Sequence, residues 1–165
     1  MNLYLNHFLL PVLIAFLLDC IIGDPRSLPH PVRALGFINI QYEKLCRKFI
    51  KHEITSGFVA VSLVIFTAFS VAWTLLKVGA SCGIEVAISS ILIYYCIAAR
   101  DLCDHALRIL KPLKNNDIPA ARGQLAMIVG RDTDNLDEGQ ICRATIESVA
   151  ESTVDGITSP LFYAL

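Results

Sequence analysis

Residues Ile54–Leu76, ITSGFVAVSLVIFTAFSVAWTLL, run for 23 positions without a charge. About 20 apolar helical residues cross the hydrocarbon core of a bilayer, so this stretch is long enough to span and far too long for a strand. The rest of the chain suits the same medium: it is 55% hydrophobic, with a mean hydropathy of +0.57 and a formal net charge of −1. Nucleic-acid-binding domains concentrate a basic surplus, and none is present. The cysteines (Cys20, Cys46, Cys82, Cys96, Cys103, Cys142) form no C-x-x-C pair and no histidine-paired zinc spacing. They read as small buried hydrophobes in reducing surroundings, not as a disulfide framework.

Two further apolar runs flank the first. Leu3–Leu18 is broken only by Asn6, His7 and Pro11. No basic residue precedes it and no small-residue cleavage site follows, so a retained membrane helix is expected rather than a secretory signal. Asp19, costly in lipid, should lie at the interface or face protein. Ile84–Ala99 is the third run, with Tyr94 and Tyr95 placed for an aromatic belt. Lys77 and Gly79–Gly83 between the runs read as a short turn, with the G-x-x-x-G spacing as a helix-packing alternative. Of the Lys and Arg, six lie between Arg26 and Lys51, one is Lys77, and seven lie between Arg100 and Arg143. The positive-inside rule puts both long polar segments in the cytoplasm and the turn outside. The expected architecture is an all-α, multi-spanning membrane protein with helices at about 3–22, 54–76 and 84–99. Cytoplasmic segments cover about 23–53 and 100–156, and a further helix starts at 157–165.

The first polar segment opens with Gly23-Asp-Pro-Arg-Ser-Leu-Pro-His-Pro-Val-Arg33-Ala-Leu-Gly36. Its prolines forbid a regular helix and stiffen the chain, so Asp24, Arg26, His30 and Arg33 can be held with little entropy loss. Two arginines and a histidine suit phosphate or carboxylate, or lipid headgroups if the loop is only rigid. Phe37–His52 alternates apolar residues with Lys44, Arg47, Lys48 and Lys51, which fits a helix on a membrane surface or one packed on other helices. Arg100–Leu113 reads as a helix, with His105 either a surface residue or a ligand. Asn115–Pro119 reads as a turn, and Ala120–Val129 as a helix capped by Gly130.

The residues Met127–Gly156 hold seven of the fifteen acids. A turn, Gly130-Arg-Asp-Thr-Asp-Asn135, leads into a helix expected to begin near Asp134 or Asn135. Along it Arg143, Glu147, Glu151 and Asp155 recur every four residues and project from one face. A solvated face with an Arg143–Glu147 pair would have this spacing too. The like-charge run from Glu147 to Asp155, however, costs stability unless a cation or basic partner sits there, and hard oxygen ligands on one face would suit Mg²⁺ together with substrate phosphates.

These stretches together resemble the CobD/CbiB family, the adenosylcobinamide-phosphate synthases of cobalamin biosynthesis. The matching residues are Asp19-x-x-x-Gly-Asp-Pro-Arg-x-Leu-Pro-His-Pro-Val-Arg33, Met127-Ile-Val-Gly-Arg-Asp-Thr133, Glu147-Ser-Val-Ala-Glu151, Asp155-Gly156 and Pro160-Leu-Phe162. Their order and separation fit, and so does the layout of apolar runs. One departure is Ser152, where the family usually carries Asn after Ala-Glu. The resemblance covers essentially the whole chain and about the N-terminal half of a family member, so a polypeptide ending at Leu165 is expected to be an incomplete, inactive enzyme.

The resemblance implies an amide ligase of the cell (inner or plasma) membrane. It would join adenosylcobyric acid, a corrinoid, to aminopropanol or its phosphate using ATP and Mg²⁺. It implies anion contacts from Arg26, His30, Arg33 and Arg131, with Thr133 and Arg143 also at the substrate. Glu147, Glu151 and Asp155 would serve Mg²⁺ or the amine, and Asp24 and Asp132 either task. Asp24, His30, Arg131, Asp132, Glu147 and Glu151 would form the catalytic set. No P-loop pattern is present, so ATP use rests on the resemblance. Expected partners are the small-molecule substrates, membrane lipid and other corrinoid-pathway membrane proteins, with no nucleic acid. The competing readings are a non-catalytic, AmpE-like membrane sensor and a corrinoid-binding module.

Overall fold

The computed structural model describes residues 2–25 and 30–165, with side chains in the first helix from Leu9 onward. Among the described residues there is no strand. The helices are α1 (Asn2–Ile22), α2 (Pro31–Phe49), α3 (Glu53–Cys82), α4 (Glu85–Tyr94), α5 (Ala99–Lys114), α6 (Ile118–Leu125), α7 (Glu138–Thr153) and α8 (Ser159–Ala164), with a π turn (Val154–Thr158) joining α7 to α8. The chain divides into two compact units, Arg26–Tyr95 and Met1–Pro25 with Cys96–Leu165.

In the Arg26–Tyr95 unit, α3 contains the uncharged run. At about 1.5 Å per residue its 30 residues extend about 45 Å, more than a bilayer core requires. Its hydroxyls turn back on their own helix: Ser62, Thr67, Ser70 and Thr74 each donate to the carbonyl four residues earlier, at 2.7–2.8 Å. Each hydroxyl is thereby satisfied within its own helix. Phe58 is 75% exposed and Phe66 69%, whereas the core helix of a soluble protein would cover them. Two stretches, Glu53–Cys82 and Glu85–Lys114, are long and apolar enough to cross a membrane. A turn at 95–98 divides the second, so that α4 ends five residues before the expected boundary at Ala99.

The expected turn over Lys77 and Gly79–Gly83 is helical as far as Cys82, and Gly83 ends it in the left-handed conformation (φ 72°). Gly79 is buried, and a Cβ there would meet Ile88 Cδ1 at 2.8 Å. The glycine therefore lets α4 approach α3, which is the packing alternative. Helix α2 also begins six residues earlier than Phe37. Pro31 takes its first position, where a missing N–H costs nothing, and His30 caps it by accepting from Val32 N at 3.1 Å. The helix packs against α3, with Tyr42 and Thr67 hydroxyls 3.0 Å apart.

In the other unit, α5, α6 and α7 enclose a core of Ile109, Leu113, Ala121, Leu125, Ile141 and Ala144. Asp117 caps α6 through Ala120 N, so the helix begins at Ile118 rather than Ala120, with Pro119 in its first turn. The helix ends at Leu125 rather than Val129. Ile128 and Val129 N–H close the end on the Leu125 carbonyl, so no left-handed glycine is needed and Gly130 is not the cap. Helix α7 begins at Glu138, later than expected, because Asp137 and Gln140 form a reciprocal capping box.

Helix α1 buries Pro11, Ala15 and Asp19 at four-residue spacing. Asp19 faces protein, only 1% exposed, and its Oδ2 accepts from Arg100 N at 3.0 Å. An acid on α1 thus caps the first turn of α5. Arg100 returns the contact: its Nη1 donates to the carbonyls of Cys20 (2.7 Å) and Ile21 (2.9 Å), at the negative end of α1. Gly23 (φ 68°) then turns the chain, and a Cβ there would collide with Arg100 Cδ at 2.9 Å.

Ile141→Ala is expected to destabilise this core by about 2–5 kcal/mol. Ile146→Ala on the same helix, 69% exposed, should change stability by no more than about 0.5 kcal/mol. Thermal unfolding of the detergent-purified protein compares the two.

Candidate functional site

The acid-rich segment is a turn pinned between α6 and α7. Asp132 Oδ1 accepts from Asp134 N at 2.9 Å, a local turn that competes with helix and delays α7. Thr133 is buried and donates through Oγ1 to the Arg122 carbonyl at 3.2 Å. Arg122 in turn donates through Nε to the Leu136 carbonyl at 2.8 Å. From α7, Ser148 Oγ donates to the Ile128 carbonyl at 3.2 Å. Residues 128–136 are therefore fixed at both ends, and Arg131 and Asp132 lie exposed between.

What this turn presents is a bracket of two arginines on one carboxylate. Arg131 Nη2 donates to Glu147 Oε2 at 3.2 Å, and Arg143 Nε donates to Glu147 Oε1 at 2.8 Å. The Arg143–Glu147 pair is the four-residue contact expected from spacing; the Arg131 contact crosses sixteen residues and was not visible there. The Arg143 hydrogen bond first, then Arg131, holds the Glu147 carboxyl below the usual glutamate range. All three side chains are exposed, so the bracket contributes little stability. What it does supply is two guanidiniums held side by side with donors to spare, the geometry that receives a phosphate or carboxylate.

Glu151 and Asp155 lie one and two turns further along, both exposed, with no ion pair among the described residues. No group of three or more His, Cys, Asp or Glu able to hold a metal occurs among the described residues. Glu147, already shared by two arginines, is better placed to orient them than to ligate a cation. The carboxylates of this stripe not engaged by an arginine are Glu151 and Asp155.

The π turn has a local cause. Pro160 has no N–H to offer Gly156 four residues before it, and the helix widens so that Ser159 N bonds the Val154 carbonyl instead. The freed Gly156 carbonyl accepts from Ala98 N at 3.0 Å, beside the Arg100 amide that Asp19 caps.

Of the other expected site residues, Asp24 follows Gly23 and is exposed in the same unit as the bracket. His30 and Arg33 belong to the Arg26–Tyr95 unit. The His30 ring caps α2 and stands edge-on to Tyr95 at 5.2 Å, and Arg33 is exposed on the first turn of α2. Arg26 lies outside the described residues. Thr133 is buried in a structural hydrogen bond, a better fit to positioning than to substrate contact. Sequence reasoning assigned no role to Arg100, Arg122 or Ser148. The signal for the capping box, Asp137-x-x-Gln140, was present and overlooked.

The Glu147 carboxyl is expected to titrate below the usual glutamate range by carbon-detected NMR, and to rise more in Arg143→Gln than in Arg131→Gln. Because its folded value is depressed, the bracket is present above the unfolded value and is lost as pH falls through the folded one.

A family model described as CobD/Cbib protein matches residues 12–165. The chain is 42% identical to "Cobalamin biosynthesis protein CobD" of Clostridium perfringens over 94% of its length and 50% of the relative's. It is 39% identical to the protein of that name from Leptospira interrogans (93% and 50%), and 42% to the one from Synechocystis (90% and 45%). The chain thus spans about half the length of these curated relatives. No solved structure matches it. On a family match over nearly all its residues, the chain belongs to the CobD/CbiB protein family.

Proposed function

We propose that this protein acts in cobalamin biosynthesis as the adenosylcobinamide-phosphate synthase, forming an amide between adenosylcobyric acid and aminopropanol or its phosphate with ATP. The single observation that carries the reading is the Arg131–Glu147–Arg143 bracket, paired guanidiniums on a fixed turn, in a chain whose relatives are named for that pathway.

A carboxylate is a poor electrophile. Transfer of the terminal phosphoryl group of ATP to it gives an acyl phosphate and ADP; the amine then attacks the carbonyl carbon, inorganic phosphate leaves, and the ammonium's proton must pass to a base. Arg131 and Arg143 bind the phosphoryl oxygens and keep them in register, the positioning role that dominates phosphoryl transfer. Glu147 sets the angle between the two guanidiniums. Glu151 and Asp155 hold Mg²⁺ or draw in the ammonium, and Asp24 or Asp132 receives its proton. Magnesium, when bound, neutralises charge on the phosphates. The protein is read as a multi-pass protein of the cell membrane with its polar segments cytoplasmic, consistent with the uncovered apolar face of α3.

The test is made on the complete polypeptide, purified in detergent and supplied with adenosylcobyric acid, aminopropanol or its phosphate, ATP and Mg²⁺. One ADP per amide formed is expected. Arg131→Ala should lower kcat/KM by about 100-fold. Retained corrinoid binding without nucleotide-dependent turnover would instead favour a binding module.

A further inference from the structure

Two motif-bearing segments meet on the first turn of α5. Ala98 N donates to the carbonyl of Gly156, the neighbour of Asp155, while Arg100 N donates to the carboxylate of Asp19, five residues before Asp24. The Arg100 guanidinium then closes the loop on the Cys20 and Ile21 carbonyls, and only glycine at position 23 leaves room for its side chain. Each of the three elements is thereby capped by another: α1 by Arg100, α5 by Asp19, and the widened helix at Pro160 by Ala98. Asp19, 1% exposed, is out of reach of any substrate. Its buried carboxylate is nonetheless where loss of one hydrogen bond would leave a buried acceptor and a helix-end donor unpaired together.

We propose that Asp19 and Arg100 are a positioning pair: they hold the Gly23-Asp24-Pro25 loop on the end of α5 to which Ala98 N ties the Asp155-bearing π turn, so that Asp24 and Asp155 act on the same substrate. The proposal rests on the reading of Asp24 and Asp155 as site residues. It assigns no chemistry to Asp19 or Arg100 themselves. The hydrogen bond from Arg100 N needs only an oxygen acceptor, so the amide of Asp19→Asn can replace the carboxylate, whereas Asp19→Ala cannot. Arg100→Gln keeps the backbone donor but gives up the grip on α1.

The experiment uses the complete polypeptide in two readouts. Spin labels are placed through Asp24→Cys and Asp155→Cys, with the native cysteines replaced, and dipolar broadening is read by continuous-wave EPR. Broadening is expected with Asp19 or Asp19→Asn and should be lost in Asp19→Ala and in Arg100→Gln. In unlabelled protein, Asp19→Ala should lower kcat by roughly 10- to 100-fold with little change in the KM for ATP, and Asp19→Asn should restore most of it. Should Asp19→Ala fail to fold, Arg100→Gln takes its place in both measurements. Broadening that is absent from the outset or unchanged in the folded variants, or wild-type kcat in them, would overturn the proposal. Broadening that responds as expected in a protein with no amide-forming turnover upholds the positioning pair and removes the ligase reading.

Discussion

A helix end leaves backbone donors or acceptors that must find partners, and in this protein the ends supply one another. The first turn of α5 has amides to satisfy; α1 ends with exposed carbonyls; the helix before Pro160 has a carbonyl without a donor. Asp19, Arg100 and the Gly156 carbonyl resolve all three at one place. Around so apolar a chain, water is a poor substitute for these contacts. The constraint explains why a buried acid, a glycine closely packed against Arg100 and a helix-interrupting proline occur where they do: each is a cap or a consequence of one.

The second constraint lies in the turn between α6 and α7. Arg122, Thr133 and Ser148 spend their side chains on backbone carbonyls, and Ile128, Val129 and Leu136 pack against the core, so the turn keeps its form. That leaves Arg131 free to cross to Glu147, and Glu147 to share its oxygens with Arg143. An exposed trio of this kind adds almost nothing to stability. Its effect is to orient two guanidiniums on one carboxylate rather than to support the fold.

Much of this was legible in the sequence. The uncharged run of Ile54–Leu76 marked α3, the four-residue rhythm of Arg143, Glu147 and Glu151 marked one face of α7, and the cost of a charge in lipid predicted that Asp19 would find protein. Boundaries were read less well, for physical reasons. Gly79–Gly83 looks like a turn by composition, yet a glycine inside an apolar helix also serves close packing, and contact with Ile88 decides between the two. Asp134 and Asn135 look like caps, but Asp132 uses the Asp134 amide in a local turn and the helix waits for Asp137. The Arg131–Glu147 contact and the capping of α5 by Asp19 join residues far apart in the chain, and no local pattern encodes such pairings.

The central claim is that the first turn of α5 is closed by Asp19 and Gly156. Native-state hydrogen exchange of the Ala98 and Arg100 amides measures it directly. If those contacts hold, both amides exchange as slowly as the interior of α5 around Ile109. Exchange at the rate of a frayed, uncapped helix end would contradict the account.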